Sequence, residues 1–214
     1  ADAPAGVSGN ASLTAGSHGR ADAMLDMRYQ SAPWQLRASA THTRADDYAA
    51  ADGNKVHSAY QRHSEMVSAA YRPDASTLAE LSWVHSDGEA AYADRGMDGS
   101  QFARYSTGLK LEKKQLSSRL QALRLQLEQQ NIDHVMDNYS LRSGTMPAMR
   151  MASNPAQRSS SGKLSATLAI ADHWLLDIGL DGQQHRHSSR MGMGAMATQM
   201  MQAATRQADA DISQ

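Results

Sequence analysis

Lys110–Gln130 reads KLEKKQLSSRLQALRLQLEQQ, and two folds compete for it. Leu116, Leu120, Leu123 and Leu127 recur at helical spacing among good helix formers, with no Gly or Pro between them. Taken alone, the segment is an amphipathic helix. With a turn at Lys113–Ser117, however, Leu123, Leu125 and Leu127 alternate with Arg124, Gln126 and Glu128, as in a strand with one apolar face. Tertiary context overrides local propensity often enough that the neighbouring segments must decide.

The neighbours all have period two. Ala21, Ala23, Leu25, Met27 and Tyr29 alternate with Asp22, Met24, Asp26 and Arg28, and Trp34, Leu36, Ala38 and Ala40 with Gln35, Arg37, Ser39 and Thr41. The pattern returns at Glu65–Tyr71, at Thr77–Trp83, and at Ala103–Glu112, where Tyr105, Thr107, Leu109 and Leu111 mark one face. It closes with Leu164, Ala166, Leu168 and Ile170, then Trp174, Leu176, Ile178 and Leu180. A strand at Lys110–Gln130 continues this series, so the expected fold is an all-β antiparallel meander.

Connection lengths specify the kind of meander. Short links are expected near Gln30–Pro33, Arg72–Ser76, Lys113–Ser117 and Ala171–His173, and long polar ones near Ala45–His57, Ser86–Gln101, Ile132–Ser161 and Gln183–Ala210. Tight turns at one end and long loops at the other are the pattern of up-and-down transmembrane barrels. Tyr29, Trp34, Tyr71 and Trp174 all adjoin short turns, where an interfacial aromatic girdle belongs. The opposite polar face then lines a lumen; a sandwich would instead turn its apolar face inward and carry similar loops at both ends.

Composition removes other classes. The chain has 214 residues, a single Phe and a net charge of −1 from 21 basic and 22 acidic residues, with no basic footprint for nucleic acid. With no Cys, it offers no disulfide, thiolate ligand or cysteine nucleophile. The N-terminal ADAPAGVSGNASLTAGSHGR reads as no signal peptide, and no 18 consecutive apolar residues suggest a spanning helix. No Gly-x-Ser-x-Gly, phosphate loop or His-Glu-x-x-His motif occurs, so no enzyme is expected.

The chemistry concentrates in Asn131–Pro155, NIDHVMDNYSLRSGTMPAMRMASNP. In an extended chain His134 and Met136, two apart, point to one side, offering an imidazole and a thioether to a single point. Thioethers suit Cu(I) and imidazole suits copper or zinc, so the mixture leans to copper; the same pair also serves as ordinary packing. Met146, Met149 and Met151 follow, and HRHSSRMGMGAMATQMM carries His185, His187, Met191, Met193, Met196, Met200 and Met201. Nine of the thirteen methionines fall at or after Met136. Such loops can collect Cu(I) or Cu(II) through weak contacts reinforced by proximity, or remain solvated low-complexity segments. Asp177 and Asp181 read as solvated lumen charges rather than a carboxylate pair, and His42, His63 and His85 as polar-face or strand-end residues.

Three stretches carry a family resemblance: YADRGMDGSQFAR at Tyr92–Arg104, HVMDNYSLRSGTMPAMRMASNP at His134–Pro155, and QHRHSSRMGMG at Gln184–Gly194. Together they resemble the TonB-dependent copper receptors of the bacterial outer membrane. The resemblance implies a 22-stranded barrel closed by an N-terminal plug, of which this chain supplies about ten strands after the plug, leaving an open portion. It also implies copper as transported ligand, Cu(I) ahead of Cu(II), held by a Cys-x-x-x-Met pair from the plug and a His-x-Met pair from the barrel. His134 and Met136 match the second pair; the first has no counterpart in this sequence. Implied partners are outer-membrane lipid and the TonB complex, the latter reached through the plug. The competing reading is a soluble periplasmic or secreted Met/His-rich copper-binding protein, helical around Lys110–Gln130; a structural or adhesin barrel is a third.

Overall fold

A computed structural model of the chain describes residues 5–202 and 207–213. Its strands are β1 (Gly6–Ala15), β2 (Ala21–Ser31), β3 (Trp34–Ala45), β4 (Tyr48–Ala49), β5 (Lys55–Val56), β6 (Tyr60–Tyr71) and β7 (Thr77–Ala90). They continue with β8 (Asp98–Lys114), β9 (Leu120–Asp137), β10 (Met151–Ser153), β11 (Ala156–Ala171), β12 (Trp174–Ser189), β13 (Met191–Met193) and β14 (Gln207–Ser213). One short helix, α1 (Ala197–Gln202), follows β13. Among the described residues, no helix is long and apolar enough to cross a membrane.

Lys110–Gln130 is strand, turn and strand. β8 runs through Lys114, Gln115 adopts φ 55°, and β9 resumes at Leu120, two to three residues beyond the turn expected at Lys113–Ser117. The helical reading fails because leucines of this segment gain cross-strand partners that an isolated helix could not supply: Leu127 faces Leu109, Leu125 faces Leu111 and Leu120 faces Leu168, while Leu116 falls in the turn.

Long strands pair in the order β1-β2-β3-β6-β7-β8-β9-β11-β12-β14, each antiparallel to the next, so the chain forms an up-and-down meander. β1 and β14 lie at opposite ends and do not pair; the sheet is open. β1 and β14 lie outside the segments read as strands from sequence, although Val7, Ala11 and Leu13 alternate with Ser8, Asn10, Ser12 and Thr14, and Ala208, Ala210 and Ile212 with Asp209 and Asp211; with so many small residues on the apolar face the contrast is weak. The remaining strands also reach farther than expected, because their hydrated ends alternate without the apolar contrast that reveals a strand. The connections expected at Ser86–Gln101 and Ile132–Ser161 narrow accordingly to 91–97 and 138–155. The last expected long connection, Gln183–Ala210, includes residues 203–206, which lie outside the described residues.

Register sorts the side chains cleanly. Tyr29, Leu36, Ala69, Leu81, Leu109 and Leu127 form one cross-strand row, while the row one residue along, Arg28, Arg37, Ser68, Ser82, Gly108 and Glu128, points to the opposite face. Among the described residues no second layer covers the apolar face: Leu81 is 60% exposed and Leu180 68%. The hydrophobic residues buried among those described are nearly all alanines, with Leu78. A soluble sheet with so continuous an apolar surface would aggregate or bind a partner, whereas a barrel wall meets lipid there. Trp34 packs on Tyr71 with ring centroids 4.8 Å apart, and Trp174 stands 69% exposed, both beside short turns. A second aromatic group, Trp83 and Tyr105 flanking His85, lies on the same face toward the long loops.

Candidate metal site at the loop-side rim

A strand crosses a bilayer in about 9–11 residues. Counted from Leu120, where β9 leaves its short turn, that stretch is used up near Gln130. His134 and Met136 therefore stand on the part of β9 beyond the apolar band, on the face opposite to the leucines. Asp177 and Asp181 occupy that polar face as well, as expected for lumen-lining charges.

A bulge aligns the site. The β8–β9 register shifts between Gly99 and Gln101, leaving Ser100 as the extra residue, so that Phe102 faces His134 and Gly99 faces Met136. Phe102, the only phenylalanine, packs on the imidazole with ring centroids 4.5 Å apart. A Cβ at Gly99 would fall 2.0 Å from the Phe102 ring; only glycine leaves room for it. Asp87 fixes this segment from the other side, its carboxylate accepting the Phe102 N–H at 3.1 Å.

Asn154 ties β9 to its surroundings. Its Nδ2 donates to the His134 carbonyl at 2.9 Å and to the Asp133 carboxylate, while its Oδ1 accepts from Arg190 Nε at 2.7 Å. Its main chain also exchanges hydrogen bonds with Arg190, and the His134 N–H donates to Pro155 O at 3.1 Å. Asp137 ends the strand, accepting from Ser100 Oγ, from the N–H groups of Tyr139 and Ser140, and from Ser140 Oγ.

With its backbone thus held, His134 presents a buried Nε2 that has no hydrogen-bond partner among the described residues. An unpartnered buried nitrogen is costly in a protein, and an imidazole nitrogen without a hydrogen bond is chemically suited to ligate a metal. Burial pushes the His134 pKa down, against a smaller upward pull from Asp133. The neutral imidazole this favours is the metal-binding form.

The long loops bring further methionines to the same face. Ser153 of β10 pairs with Met136 on one side and Met191 on the other, and Met151 lies directly opposite Met193. Directly opposed residues share a face, so Met136, Met151, Met191 and Met193 form a thioether surface continuous with His134. Close packing of α1 supports this arrangement: Ala197 is fully buried, and a Cβ at Gly192 would lie 2.8 Å from its backbone. His185 and His187 share the polar face of β12, with His185 Nδ1 engaged by Ser159 Oγ at 2.8 Å and Gln157 Nε2 at 3.2 Å. Met146 and Met149 remain apart, exposed at the ends of a single turn of 3-10 helix in the 138–155 loop, as does Met196 beside α1. Met200 has a side chain outside the described residues.

A separate ionic clamp holds the loops over this rim. Asp98, fully buried, accepts from Arg142 Nε at 2.8 Å and Nη2 at 2.9 Å, bonds His57 Nε2 at 2.8 Å, and accepts the Tyr92 N–H at 2.9 Å. Burial pushes the Asp98 carboxyl up, but Arg142, His57 and Tyr92 outweigh it and hold its pKa at about 2. Arg142 also donates to the carbonyls of Tyr92 and Arg95, joining the 91–97 and 138–155 loops.

The histidines expected on the polar face or at strand ends require correction. His42, His63 and His85 sit in register with Ala23, Asp87 and Tyr105, on the same face as the leucines and nearer the long loops. Alternation in β6 and β7 continues beyond the apolar stretch, so these residues follow the parity of Val67 and Trp83 rather than their own polarity.

Fold and face together define a portion of transmembrane β-barrel wall, an open antiparallel meander with a polar interior face. No family model matches the chain, and no curated protein matches it by sequence. Among solved structures it is similar to the copper transporter OprC, with a TM-score of 0.84 and 37% identity, covering 97% of this chain and 33% of that one. The chain thus spans about a third of the length of that transporter.

Proposed function

We propose that this chain is part of the wall of an outer-membrane, TonB-dependent copper importer, with His134 and Met136 holding the metal at the lumen face. The carrying observation is the buried, unpartnered His134 Nε2 on the face of Met136, in a chain 37% identical to a copper transporter. An imidazole and a thioether bind Cu(I) well and Cu(II) less selectively. The complete barrel in this reading has 22 strands and a plug carrying the remaining ligands, and the open edges at β1 and β14 are where further strands join. Copper enters along Met193, Met191 and Met151 and is the transported substrate. Outer-membrane lipid covers the leucine face, and the TonB complex supplies energy through the plug. The protein is not an enzyme.

Copper accumulation by cells that depend on the protein for uptake tests the reading. His134→Ala and Met136→Ala are each expected to lower accumulation about tenfold or more, with unchanged protein in the outer membrane, and an uncoupler of the inner-membrane proton gradient is expected to abolish it. Undiminished accumulation in both variants contradicts the site; accumulation insensitive to the uncoupler contradicts TonB dependence.

A further inference from the structure

On the other face of the sheet, β6 and β7 assemble a second group of metal-binding side chains. His63 and Glu65 stand two apart on β6, and His85 on β7 lies directly opposite Glu65. One ligand atom from each of the three lies within 4.8 Å of the others. His85 Nδ1 is 2.9 Å from Glu65 Oε2, and the His63 and His85 rings meet edge-on with centroids 5.5 Å apart. All three are partly exposed; Glu65 and His85 share a row with Tyr105 and Asn131, just past the end of the apolar band near Gln130, and His63 lies two residues farther out, so an ion reaches them from the water side of the rim. Tyr105 stacks on His85 with centroids 4.4 Å apart and Trp83 packs at 5.9 Å, limiting the orientations of the His85 ring. The neighbouring Asp87, opposite His63, accepts the N–H groups of Gly88 and Phe102 on its Oδ1.

We propose that His63, Glu65 and His85 bind a divalent ion of borderline softness, Zn(II) or Cu(II), at the loop-side rim of the apolar face. Two imidazoles and a carboxylate make a nitrogen–oxygen donor set, which leaves a fourth position open and suits these ions. The set has no sulfur and therefore selects against Cu(I). This preference is opposite to that of His134 and Met136, and the two sites lie on opposite faces. Glu65 either ligates directly or holds Nδ1 and aims Nε2 at the metal, a partnership whose loss weakens affinity about 10–100-fold.

The test is zinc titration of the metal-stripped, detergent-solubilised protein, together with Cu(II) electron paramagnetic resonance. His63→Gln and His85→Gln, each retaining a native circular dichroism spectrum, are expected to lose one zinc equivalent and the two-nitrogen Cu(II) signal. Glu65→Gln is expected to weaken zinc about tenfold or more, while His134→Ala and Met136→Ala retain this equivalent. Zinc binding unchanged in the two histidine variants overturns the proposal, as does its loss in His134→Ala or the absence of zinc binding by the unsubstituted protein.

Discussion

The turn-side and loop-side halves of the sheet are stabilised by different physics. Near the short turns, period-two alternation places Leu81, Leu109 and Leu127 on one face and Ser82, Gly108 and Glu128 on the other, with partly exposed ion pairs such as Arg37–Asp26 and Arg124–Glu112 among the polar residues. Such pairs contribute about 0–1 kcal/mol each, and the surrounding apolar solvent does most of the stabilising. Toward the long loops, Asp98, Asp137 and Asn154 are buried and fully engaged, and removing one partner strands a charge or a donor. One half tolerates polar substitutions on its lumen face and punishes them on its lipid face; the other depends on individual hydrogen bonds.

The largest expected effect lies at the clamp. Arg142→Ala leaves the Asp98 carboxylate buried with His57 and Tyr92 as its remaining partners, and is expected to destabilise the loop-side rim by about 3–5 kcal/mol. Hydrogen exchange should accelerate in the 91–97 and 138–155 loops while amides near the short turns stay protected. Acceleration shared by the whole sheet would erase the distinction between the halves.

Next comes the apolar band. Leu109→Arg places a charge on the lipid face near its middle and is expected to cost about 2–4 kcal/mol in folding into lipid vesicles, whereas Ser106→Arg, the same charge on the lumen face, should cost far less. Equal costs would mean that the two faces had been assigned wrongly.

A smaller effect is expected from Gly99→Ala, whose new methyl displaces the Phe102 ring and loosens the support of His134. Crowding of this kind typically costs about 1–3 kcal/mol. The histidine resonance of His134 should shift, with the barrel otherwise intact; an unmoved resonance would mean that Phe102 does not hold the imidazole.

Acid provides the gentlest discrimination. Because Asp98 titrates at about 2, below the roughly 3.9 of an unfolded aspartate, its stabilising contribution is complete above about pH 4 and is lost as pH falls toward 2. Loop proteolysis in a pH series should rise in that window, and Asp98→Asn should remove the dependence.

The turn-side half was legible in sequence because its signal is local. Alternation at Ala21–Tyr29, Trp34–Thr41 and Leu164–Leu180 corresponds to real strands, and Lys110–Gln130 resolved as a strand once its neighbours were considered. His134 and Met136 were visible for the same reason, since a spacing of two suffices to put them on one side. What sequence concealed depends on pairings distant along the chain. Phe102 meets His134 only through a bulge, Asn154 meets Arg190 across 36 residues, and His85 finds Glu65 only through the β6–β7 register. Met191 and Met193 reach the face of Met136 because β13 pairs with β10 and β10 with β9, an adjacency no spacing reveals. Phe102 offered one clue, being the only phenylalanine.

The most direct measurement is Cu(I) and Cu(II) binding by the detergent-solubilised protein, compared with His134→Ala and Met136→Ala. The account predicts that both substitutions lose the tightest Cu(I) equivalent while the loop methionines, still present, retain only weak binding. Cu(I) affinity unchanged in both variants would contradict a copper site at His134 and Met136.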